Sequence, residues 1–273
     1  ITYYKNYLDK ISINNLDEEV LLDTLRQSHR LLKFQIIFAL INHEISIDRA
    51  SQEFSLLAQA TFDTSLKIAE SRIIKKYKID NLSYSIVAYG RFATLSMTAN
   101  SDLDLVFIYD GKNSNNNSTQ KVYIELFRQL IRTLSSKTTE GFMYEVDTKL
   151  RPSGKEGPVV CTYDNFKKYH QENSFCWEKL ALKKTRIINE NNFNAKTSKL
   201  LEKEKIKVNI VAREKLILCG IEFIKQFIKQ LDKGIHFETK FSDGDLIKSK
   251  ETIAIITGEA KKILSLERTI LNF

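Results

Sequence analysis

Apolar residues recur at helical spacing through the first part of the chain. From residue 15 to about 78 this spacing predicts helices. Ser46 stands just ahead of one such stretch and is predicted to cap its helix, because a serine hydroxyl can accept a hydrogen bond from a free N–H of the first turn. The apolar face of that stretch comprises Ile47, Ala50, Phe54, Leu57, Ala58 and Thr61. The pattern therefore predicts an N-terminal helical segment over residues 1–80.

The pattern changes at the centre of the chain to short apolar runs. Tyr84 to Tyr89 (YSIVAY) and Leu103 to Tyr109 (LDLVFIY) are rich in β-branched and aromatic residues, so we predict buried strands. A polar loop over 111–118 precedes a helix, and a third strand is predicted from Phe142 to Arg151. The apolar face of that helix comprises Tyr123, Leu126, Phe127, Leu130 and Leu134. These elements form a predicted core over residues 81–188.

From about residue 163 onward the chain is predicted to be helical again, and residues 189–273 make up the predicted C-terminal helical segment. Asn189 to Asn194 is the expected hinge into this segment, and a last amphipathic helix is expected to run to Phe273. The apolar stripe of the segment comprises Ile206, Ile210, Ile217, Ile221, Ile224, Ile228 and Leu231. The order of elements predicts an α+β fold, with a short mixed sheet and its helices flanked by N- and C-terminal helical segments.

Composition narrows the class of protein. The chain has 273 residues, 42% of them hydrophobic and 28% charged, which is enough to bury a core without a disulfide or a structural metal. The three cysteines form no CxxC pair, so we expect reduced thiols and a cytoplasmic protein. The longest apolar run, Ile36 to Ile41, is too short to cross a membrane, and no signal peptide is recognisable. The first residue is Ile rather than Met, so we expect the chain to be a fragment of a longer one.

The net charge of +8 could favour a nucleic acid, a nucleotide phosphate or an acidic protein. The basic residues are scattered without a Lys/Arg block, which argues against specific nucleic-acid binding. The four histidines show no metal-binding spacing such as HExxH. A solvated protein surface explains most of these basic residues, so the net charge by itself selects none of the three partners.

Two aspartates stand at the start of the second predicted strand, in the sequence SDLDL from Ser101 to Leu105. Because successive side chains of a strand alternate, Asp102 and Asp104 share one face. Neighbouring carboxylates raise each other's pKa unless a cation neutralises them, and oxygen ligands suit Mg²⁺. A pair of exposed aspartates near a strand end would have the same sequence, so the pattern alone leaves both interpretations open.

The third predicted strand adds an acid and two bases to this picture. In residues 145–151 (EVDTKLR) the odd positions share one strand face. On that face lie Glu145, Asp147, Lys149 and Arg151. Asp147 could complete a two-metal site with the first two aspartates, and the cations could neutralise phosphate oxygens. An exposed edge strand with ion pairs is the structural alternative. Upstream, Gly90 ends the first strand where a turn could approach phosphates.

A second acidic sequence, FSDGDL from Phe241 to Leu246, resembles the first. Gly244 and the lack of a following strand predict a polar turn here, because glycine and aspartate are common turn residues. This segment is therefore excluded from the candidate site.

Three ordered motifs resemble those of the glutamine synthetase adenylyltransferases. Gly90 to Asp110 (GRFATLSMTANSDLDLVFIYD) is similar to the family's G-K-L-G-[GS]-x-E…[ST]-S-D-L-D-L-[IV] element. Met143 to Pro158 (MYEVDTKLRPSGKEGP) is similar to its [YH]-x-V-D-x-R-L-R-P-x-G-x-x-G-x-[LV] element. Tyr169 to Arg186 (YHQENSFCWEKLALKKTR) resembles its Y-x-x-x-E-A-W-x-W-E-x-x-A-L-x-R-A-R helix. The resemblance covers residues 20–186.

The resemblance implies a nucleotidyltransferase core of the DNA polymerase beta-like superfamily. Members carry two such domains, one that attaches AMP to a tyrosine of glutamine synthetase and one that removes it by phosphorolysis. The sequence of this chain in the second motif, MYEVDxxLRPSGxxGP, is closer to that of the attaching, C-terminal copy. The implied function is Mg²⁺-dependent transfer of AMP from ATP to glutamine synthetase, which regulates nitrogen assimilation. A nitrogen-signalling regulator is a further implied partner, through parts of a longer chain.

Carried over position by position, the resemblance makes Asp102, Asp104 and Asp147 the catalytic residues and the ligands of two Mg²⁺ ions. ATP is the implied substrate. Trp177 and Glu178 would support the site from the following helix. The residues implied to bind the nucleotide are Gly90, Thr94, Ser101, Lys149, Arg151 and Arg186.

The chain departs from the family motifs at several positions. Ala93 and Thr94 replace Gly-Gly or Gly-Ser, and a Cβ there is expected to hinder phosphate approach or to strain the turn. Lys149 replaces a bidentate arginine. Leu216 to Gln226 (LILCGIEFIKQ) is interpreted as a remnant of the family's G-G-L-x-D-[IC]-E-F-x-x-Q element. Two alternatives stay open: an adenylyl-removing copy, and a decayed domain that binds a partner or nucleotide without catalysis.

Overall fold

A computed structural model gives the three-dimensional structure of the chain. It describes residues 2–12, 17–79, 81–111, 117–152, 154, 157–174, 176–202, 205–231, 234–259 and 263. The chain divides into two compact units. The first comprises Ile1–Asn173 and Lys184–Ser198, and the second comprises Ser174–Lys183 and Lys199–Phe273.

Three helices begin the first unit: α1 (Thr2–Ser12), α2 (Glu18–Ile41) and α3 (Ile47–Tyr77). Ser46 caps α3 as predicted, since its Oγ accepts a hydrogen bond from the N–H of Arg49 at 3.2 Å. The helix ends at Lys78, which adopts the left-handed conformation common at helix ends. Much of α3 is buried, and it packs in one hydrophobic core with the strands of the central sheet.

A short mixed sheet forms the centre of the first unit. Its strands are β1 (Tyr84–Ala88), β2 (Leu103–Tyr109), β3 (Val146–Asp147), β4 (Val160–Thr162) and β5 (Arg186–Ile187). The order is β3-β2-β1-β5, and β1 is antiparallel to both of its neighbours. β2 pairs in parallel with β3 beside its start and with β4 beside its end. The predicted α+β fold with a short mixed sheet is confirmed. Two of its five strands, β4 and β5, were not predicted, and β5 lies in a stretch predicted to be helical.

Helices lie between these strands in the sequence, and one more follows β5. They are α4 (Gly90–Ala93), α5 (Asn117–Ser135), α6 (Tyr163–Lys168), a π-helical turn (Tyr169–Asn173), α7 (Cys176–Lys183) and, after β5, α8 (Asn194–Glu202). Of these, α7 belongs to the second unit. The predicted apolar face of α5 is buried against the sheet's core cluster. Residues 112–116 of the predicted polar loop lie outside the described residues.

The third strand is shorter than predicted. The sequence pattern predicts extended chain from Phe142 to Arg151, but β3 holds only Val146 and Asp147. The chain then turns on itself, with the N–H of Arg151 bonded to the carbonyl of Thr148 at 3.3 Å and the N–H of Gly154 bonded to the carbonyl of Arg151 at 2.8 Å. These turns end the alternation of faces, so Arg151 does not continue the face of Asp147.

The second unit contains strands where the sequence pattern predicts helices. They are β6 (Lys205–Val211), β7 (Leu216–Ile217), β8 (His236–Glu238), β9 (Leu246–Ile247) and β10 (Thr252–Glu259), with α9 (Ile221–Leu231) between β7 and β8. β6, β10 and β8 form an antiparallel sheet in that order, and β7 pairs with β9. The prediction of a helical C-terminal segment is therefore wrong for these stretches. The predicted final helix falls largely outside the described residues.

The physical reason lies in the spacing of the apolar residues. Ile206 and Ile210 are four apart, which fits one helix face and equally one strand face, and Val208 between them continues the strand alternation. Residues 207–211 of β6 alternate between exposed and half-buried, as in a strand with one covered face. Pairing with β10, more than forty residues later, selects the strand.

The asparagine-rich segment predicted to be a hinge is a packed part of the first unit. The Asn189 side chain accepts a hydrogen bond from the N–H of Ile86 at 2.7 Å and donates one to the carbonyl of Tyr84 at 3.3 Å. The Asn191 side chain donates to the carbonyl of Leu82 at 2.7 Å. These bonds fix the segment beside β1, so the hinge prediction is wrong. The predicted domain boundaries after residues 80 and 188 stay predictions.

None of the helices in the described part of the chain is both long and apolar enough to span a membrane.

Candidate active site

The register of two strands brings the three predicted aspartates together. β2 and β3 run parallel, and Asp104 lies directly opposite Asp147 across the ladder. Asp102 precedes Asp104 by two residues and so presents its side chain on the same side. One carboxylate oxygen from each of the three residues lies within 4.8 Å of the other two. The structure thus forms a single acidic cluster from side chains 45 residues apart in the sequence.

Gly90 closes the space beside this cluster. Because β1 is antiparallel to β2, the end of β1 lies beside the start of β2, and the N–H of Tyr89 bonds to the carbonyl of Asp104 at 2.9 Å. Gly90 has a φ of +56°, which residues other than glycine rarely adopt. A Cβ at this position would lie 2.5 Å from Oδ2 of Asp104. Glycine is therefore required both by its backbone conformation and by the carboxylate next to it.

The cluster holds negative charge in a partly buried place. Burial raises the pKa of Asp104, and the neighbouring carboxylates of Asp102 and Asp147 raise it further, while Lys149 opposes them. Three converging carboxylate oxygens are the donor set that a hard divalent cation such as Mg²⁺ prefers, and such an ion would relieve their mutual repulsion. The residues present therefore fit the predicted metal.

Lys149 lies at the edge of the cluster. Its ammonium pairs with Oδ2 of Asp147, and its backbone N–H bonds to Oδ1 of the same residue at 2.8 Å. The hydrogen bond to Asp147 is the main cause of the raised pKa of Lys149. The side chain is exposed, so its ammonium can exchange the carboxylate for a phosphate oxygen.

Arg151 is placed differently from the prediction. Its side chain is buried, with 8% of the residue exposed, and its guanidinium bonds to the carbonyl of Gly157 at 3.1 Å and to that of Thr148 at 2.7 Å. These bonds fold the loop after β3. The structure therefore shows a loop-organising role for Arg151, and direct phosphate binding stays a prediction.

Arg186 is also bonded to the backbone. From β5 its guanidinium donates to the carbonyl of Phe92 at 3.1 Å and to that of Ala93 at 3.4 Å, at the end of α4. It also donates to Oε1 of Gln59 at 2.8 Å and lies over the ring of Phe92. Burial lowers the pKa of Arg186. The structure brings Arg186 to the turn that holds Gly90, whereas direct contact between Arg186 and the nucleotide stays a prediction.

The two replaced glycine positions are unstrained. Ala93 is helical, and Thr94 has a φ of −88° with its hydroxyl donating to the carbonyl of Gly90 at 3.1 Å. Positive φ values in this segment occur on either side of the two positions, at Gly90 and at the exposed residue Leu95, both at 56°. Of the two predicted effects of a Cβ at positions 93 and 94, backbone strain is therefore wrong, because neither position needs a glycine conformation. Hindrance of phosphate approach stays a prediction. The Thr94 side chain is exposed.

Ser101 organises the turn that enters β2. Its Oγ accepts a hydrogen bond from the N–H of Thr98 at 2.9 Å and lies 3.0 Å from the hydroxyl of Thr98. This places Asp102 at the end of an ordered turn. Glu178 lies on α7 in the second unit, and the side chain of Trp177 lies outside the described atoms.

Sequence reasoning missed Gln59, a polar partner of Arg186. Gln59 lies in the middle of α3, is buried, and bonds through Nε2 to Oδ1 of Asp63 at 2.7 Å and to the carbonyl of Ile188 at 3.0 Å. A polar residue on the buried face of a long helix was the available signal. The acidic sequence at 241–246 forms the predicted turn, in which Gly244 has a φ of +95°. The predicted lack of a following strand is wrong, because β9 begins at Leu246.

Known proteins match this chain in two parts, one ending and the other beginning near residue 200. Residues 1–200 match the family model described as glutamate–ammonia ligase adenylyltransferase. The bifunctional glutamine synthetase adenylyltransferase/adenylyl-removing enzyme of Brucella melitensis biotype 1 is 35% identical over 180 residues, which are 63% of this chain and 18% of that protein. The same-named enzyme of Mesorhizobium japonicum is 33% identical over 62% of this chain and 18% of its own length. The chain thus spans about a fifth of these relatives.

The last part of the chain matches a different family model. Residues 194–273 match the N-terminal domain of quinolinate phosphoribosyl transferase. A solved nicotinate-nucleotide pyrophosphorylase from Francisella tularensis is 38% identical over 28% of each chain, with a TM-score of 0.26. Leu216 to Gln226 lies inside the second match and forms β7 and part of α9. Its interpretation as an eroded adenylyltransferase element is therefore wrong.

Proposed function

Over residues 1–200 the chain belongs to the glutamate–ammonia ligase adenylyltransferase family, and from this we propose that it transfers AMP from ATP to a tyrosine of glutamine synthetase. The observation that carries the proposal is the convergence of Asp102, Asp104 and Asp147 within 4.8 Å. Nucleotidyl transfer needs divalent cations beside the triphosphate, and such a cluster is suited to hold them.

Each residue of the cluster has a place in this reaction. Asp102, Asp104 and Asp147 would hold two Mg²⁺ ions. Bound Mg²⁺ supplies positive charge that offsets the charge of the triphosphate and of departing pyrophosphate. Lys149 leaves Asp147 for a phosphate oxygen, which keeps that oxygen neutralised. Gly90 keeps the backbone close to Asp104 without a side chain between them.

The chemistry is an in-line displacement. The tyrosine oxygen forms a bond to the α-phosphorus of ATP, and the bond between that phosphorus and the oxygen of pyrophosphate breaks. The phenol proton passes to the carboxylate of Asp147 and then to solvent. The products are the adenylylated tyrosine and pyrophosphate, so no covalent intermediate on this chain is required.

Removal of AMP is the second candidate, because the names of the relatives include both activities. The same carboxylates would serve, with inorganic phosphate as the attacking group and ADP as the product. The decayed-domain alternative rested on the altered turn at Ala93-Thr94 and on an eroded motif at 216–226. The helical conformation of Ala93 argues against strain in that turn, and the second family match gives residues 216–226 another origin.

The test uses ATP labelled at the α-phosphate. The purified chain, Mg²⁺ and glutamine synthetase should give labelled glutamine synthetase and pyrophosphate, and an Asp104→Asn variant should give neither. ADP released from adenylylated glutamine synthetase with phosphate would assign the chain to removal instead. A chain that does neither reaction, while binding ATP, would establish the non-catalytic alternative.

Three further points remain part of the proposal. A cytoplasmic location is expected from the reduced cysteines and from the ATP requirement. A nitrogen-signalling regulator is expected to act through parts of a longer chain. The three carboxylates of the acidic cluster all lie in the first unit, and we assign the transfer reaction to that unit.

A further inference from the structure

The short helix α4 is held at both of its ends. A helix of four residues leaves its last carbonyls without partners inside the helix. Here the guanidinium of Arg186 donates hydrogen bonds to two of these carbonyls, that of Phe92 at 3.1 Å and that of Ala93 at 3.4 Å. At the other end, Gly90 packs so closely on Asp104 that a Cβ would lie 2.5 Å from its Oδ2. A shift of α4 therefore changes the space beside a carboxylate of the cluster.

Arg186 is itself oriented by Gln59. Nε2 of Gln59 donates to Asp63 at 2.7 Å and to the carbonyl of Ile188 at 3.0 Å, so both of its N–H groups have acceptors. Oε1 is consequently left facing the guanidinium of Arg186, from which it accepts a hydrogen bond at 2.8 Å. Gln59 lies in the middle of α3, a helix of 31 residues, which gives the amide a rigid base.

A buried guanidinium needs its acceptors, because a charged donor without partners is costly away from water. Arg186 finds them in the α4 carbonyls and in Gln59. Without the amide oxygen of Gln59, the guanidinium can turn toward the nearby carboxylate of Asp63, whose charge already acts on it. The α4 carbonyls would then lose their donor.

We propose that Gln59 is a positioning residue for the nucleotide site, and that it acts through Arg186 by holding the Gly90–Ala93 turn against Asp104. The proposal rests on the proposed AMP-transfer function. Gln59 touches no reacting atom, so its effect must appear in the geometry of the turn and in the use of ATP.

The experiment compares the full chain with Gln59→Met, Arg186→Lys, the double variant and Tyr123→Phe. Methionine keeps the volume of Gln59 and removes its hydrogen bonds. Tyr123→Phe is the matched control, since it removes one hydrogen bond, to the N–H of Ser83, at the far end of β1. Measurements are kcat and KM for ATP, corrected for the active fraction, and hydrogen exchange of the amides of Ala93, Thr94 and Ser96, which bond within the turn.

Gln59→Met should lower kcat/KM for ATP about tenfold, the loss expected when one hydrogen bond to a charged group is removed. Exchange in the turn should accelerate in this variant and stay unchanged in Tyr123→Phe. The double variant should be no worse than Arg186→Lys, because both changes break one chain of contacts. If Gln59 has only a structural role, Gln59→Met should be less stable to heat, while its kcat, its KM and the hydrogen exchange of its turn amides equal those of Tyr123→Phe. That result would overturn the proposal.

Two outcomes separate this proposal from the proposed function. If the parent chain transfers no AMP, the proposed function fails, and the exchange comparison decides the positioning role alone. If Gln59→Met does not fold, Arg186→Lys carries the same test, because lysine keeps the charge and loses the fork that bonds to two carbonyls. Unchanged exchange and kcat/KM in Arg186→Lys then overturn the proposal.

Discussion

The two units contain nearly the same acidic sequence and use it differently. In the first unit, the aspartates of Ser101 to Asp104 (SDLD) meet a third carboxylate from a neighbouring strand. In the second, the aspartates of Ser242 to Asp245 (SDGD) bond to the chain's own backbone. Asp243 accepts from the N–H of Ile221, at the start of α9, at 2.8 Å, and Asp245 accepts from that of Ser242 at 2.7 Å.

The difference comes from the residue that separates the two aspartates in each unit. Leu103 is buried and begins β2, so its neighbours are held outward on an extended strand beside β3. Gly244 has a φ of +95°, which closes a turn and directs the carboxylates to nearby N–H groups. Aspartates that satisfy a helix start and a turn contribute stability, whereas aspartates that converge are available to a cation.

The largest expected effect is on the converging aspartates. Asp104→Asn should reduce Mg²⁺-dependent AMP transfer by at least about a hundredfold, because even changes behind a metal ligand cost about 10- to 100-fold. Thermal stability should hold or rise, since the change relieves repulsion that raises the pKa of Asp104. Asp245→Asn is the control and should leave transfer unchanged. Wild-type transfer by Asp104→Asn would exclude this carboxylate from the metal site.

The next largest effect is expected from alanine at Gly90, in the first unit, compared with alanine at Gly244, in the second. Gly90 and Gly244 both have positive φ, so alanine should cost about 1–2 kcal/mol of unfolding free energy at either position. At Gly90 the added Cβ also meets Oδ2 of Asp104, whereas at Gly244 it meets no described atom within 4 Å. Gly90→Ala should therefore lose transfer as well as stability, and Gly244→Ala stability alone. Equal transfer activity in the two variants would contradict the close packing at Gly90.

A smaller effect concerns the pH dependence of stability. Burial lowers the pKa of His29 to about 3, so the unfolded chain, with a histidine pKa near 6.5, binds more protons between these values. Stability from this group is therefore present above pH 6.5 and is lost as the pH falls toward 3, by up to about 1.4 kcal/mol per pH unit. His29→Gln should flatten that slope in thermal unfolding, while His236→Gln, on exposed β8, should not. Parallel slopes for parent and His29→Gln would refute the assignment.

The smallest effect is expected where the sequence predicts a large one. From the motif alone, glycine restored at Ala93 and Thr94 should tighten ATP binding, but both positions have conformations that alanine and threonine adopt freely. The double-glycine variant should bind ATP·Mg²⁺ within about twofold of the parent, since no strain is released. Calorimetric titration of the two proteins decides the point. Binding tightened several-fold would restore the view that these side chains hinder phosphate.

Most of the candidate site could be predicted from local patterns. Strand alternation at 102–104 and the apolar runs at β1 and β2 depend on neighbours in sequence, so the sequence contained them. The roles of the basic side chains were harder to predict. Arg151 and Arg186 occur in motifs that suggest phosphate binding, yet their guanidinium groups bond to backbone carbonyls of a loop and a helix end.

By itself the sequence determined strands β1 and β2, the long helices of the first unit and the three carboxylates, because each depends on a short periodic pattern. It did not determine β4 and β5, which are too short to show such a pattern. Tertiary structure alone decided which arginines hydrogen-bond to the backbone, since a buried guanidinium donates to whichever carbonyls the fold places beside it. It also decided the strands of the second unit. Apolar residues four apart satisfy a helix and a strand alike, and only pairing between β6 and β10 selects one of them.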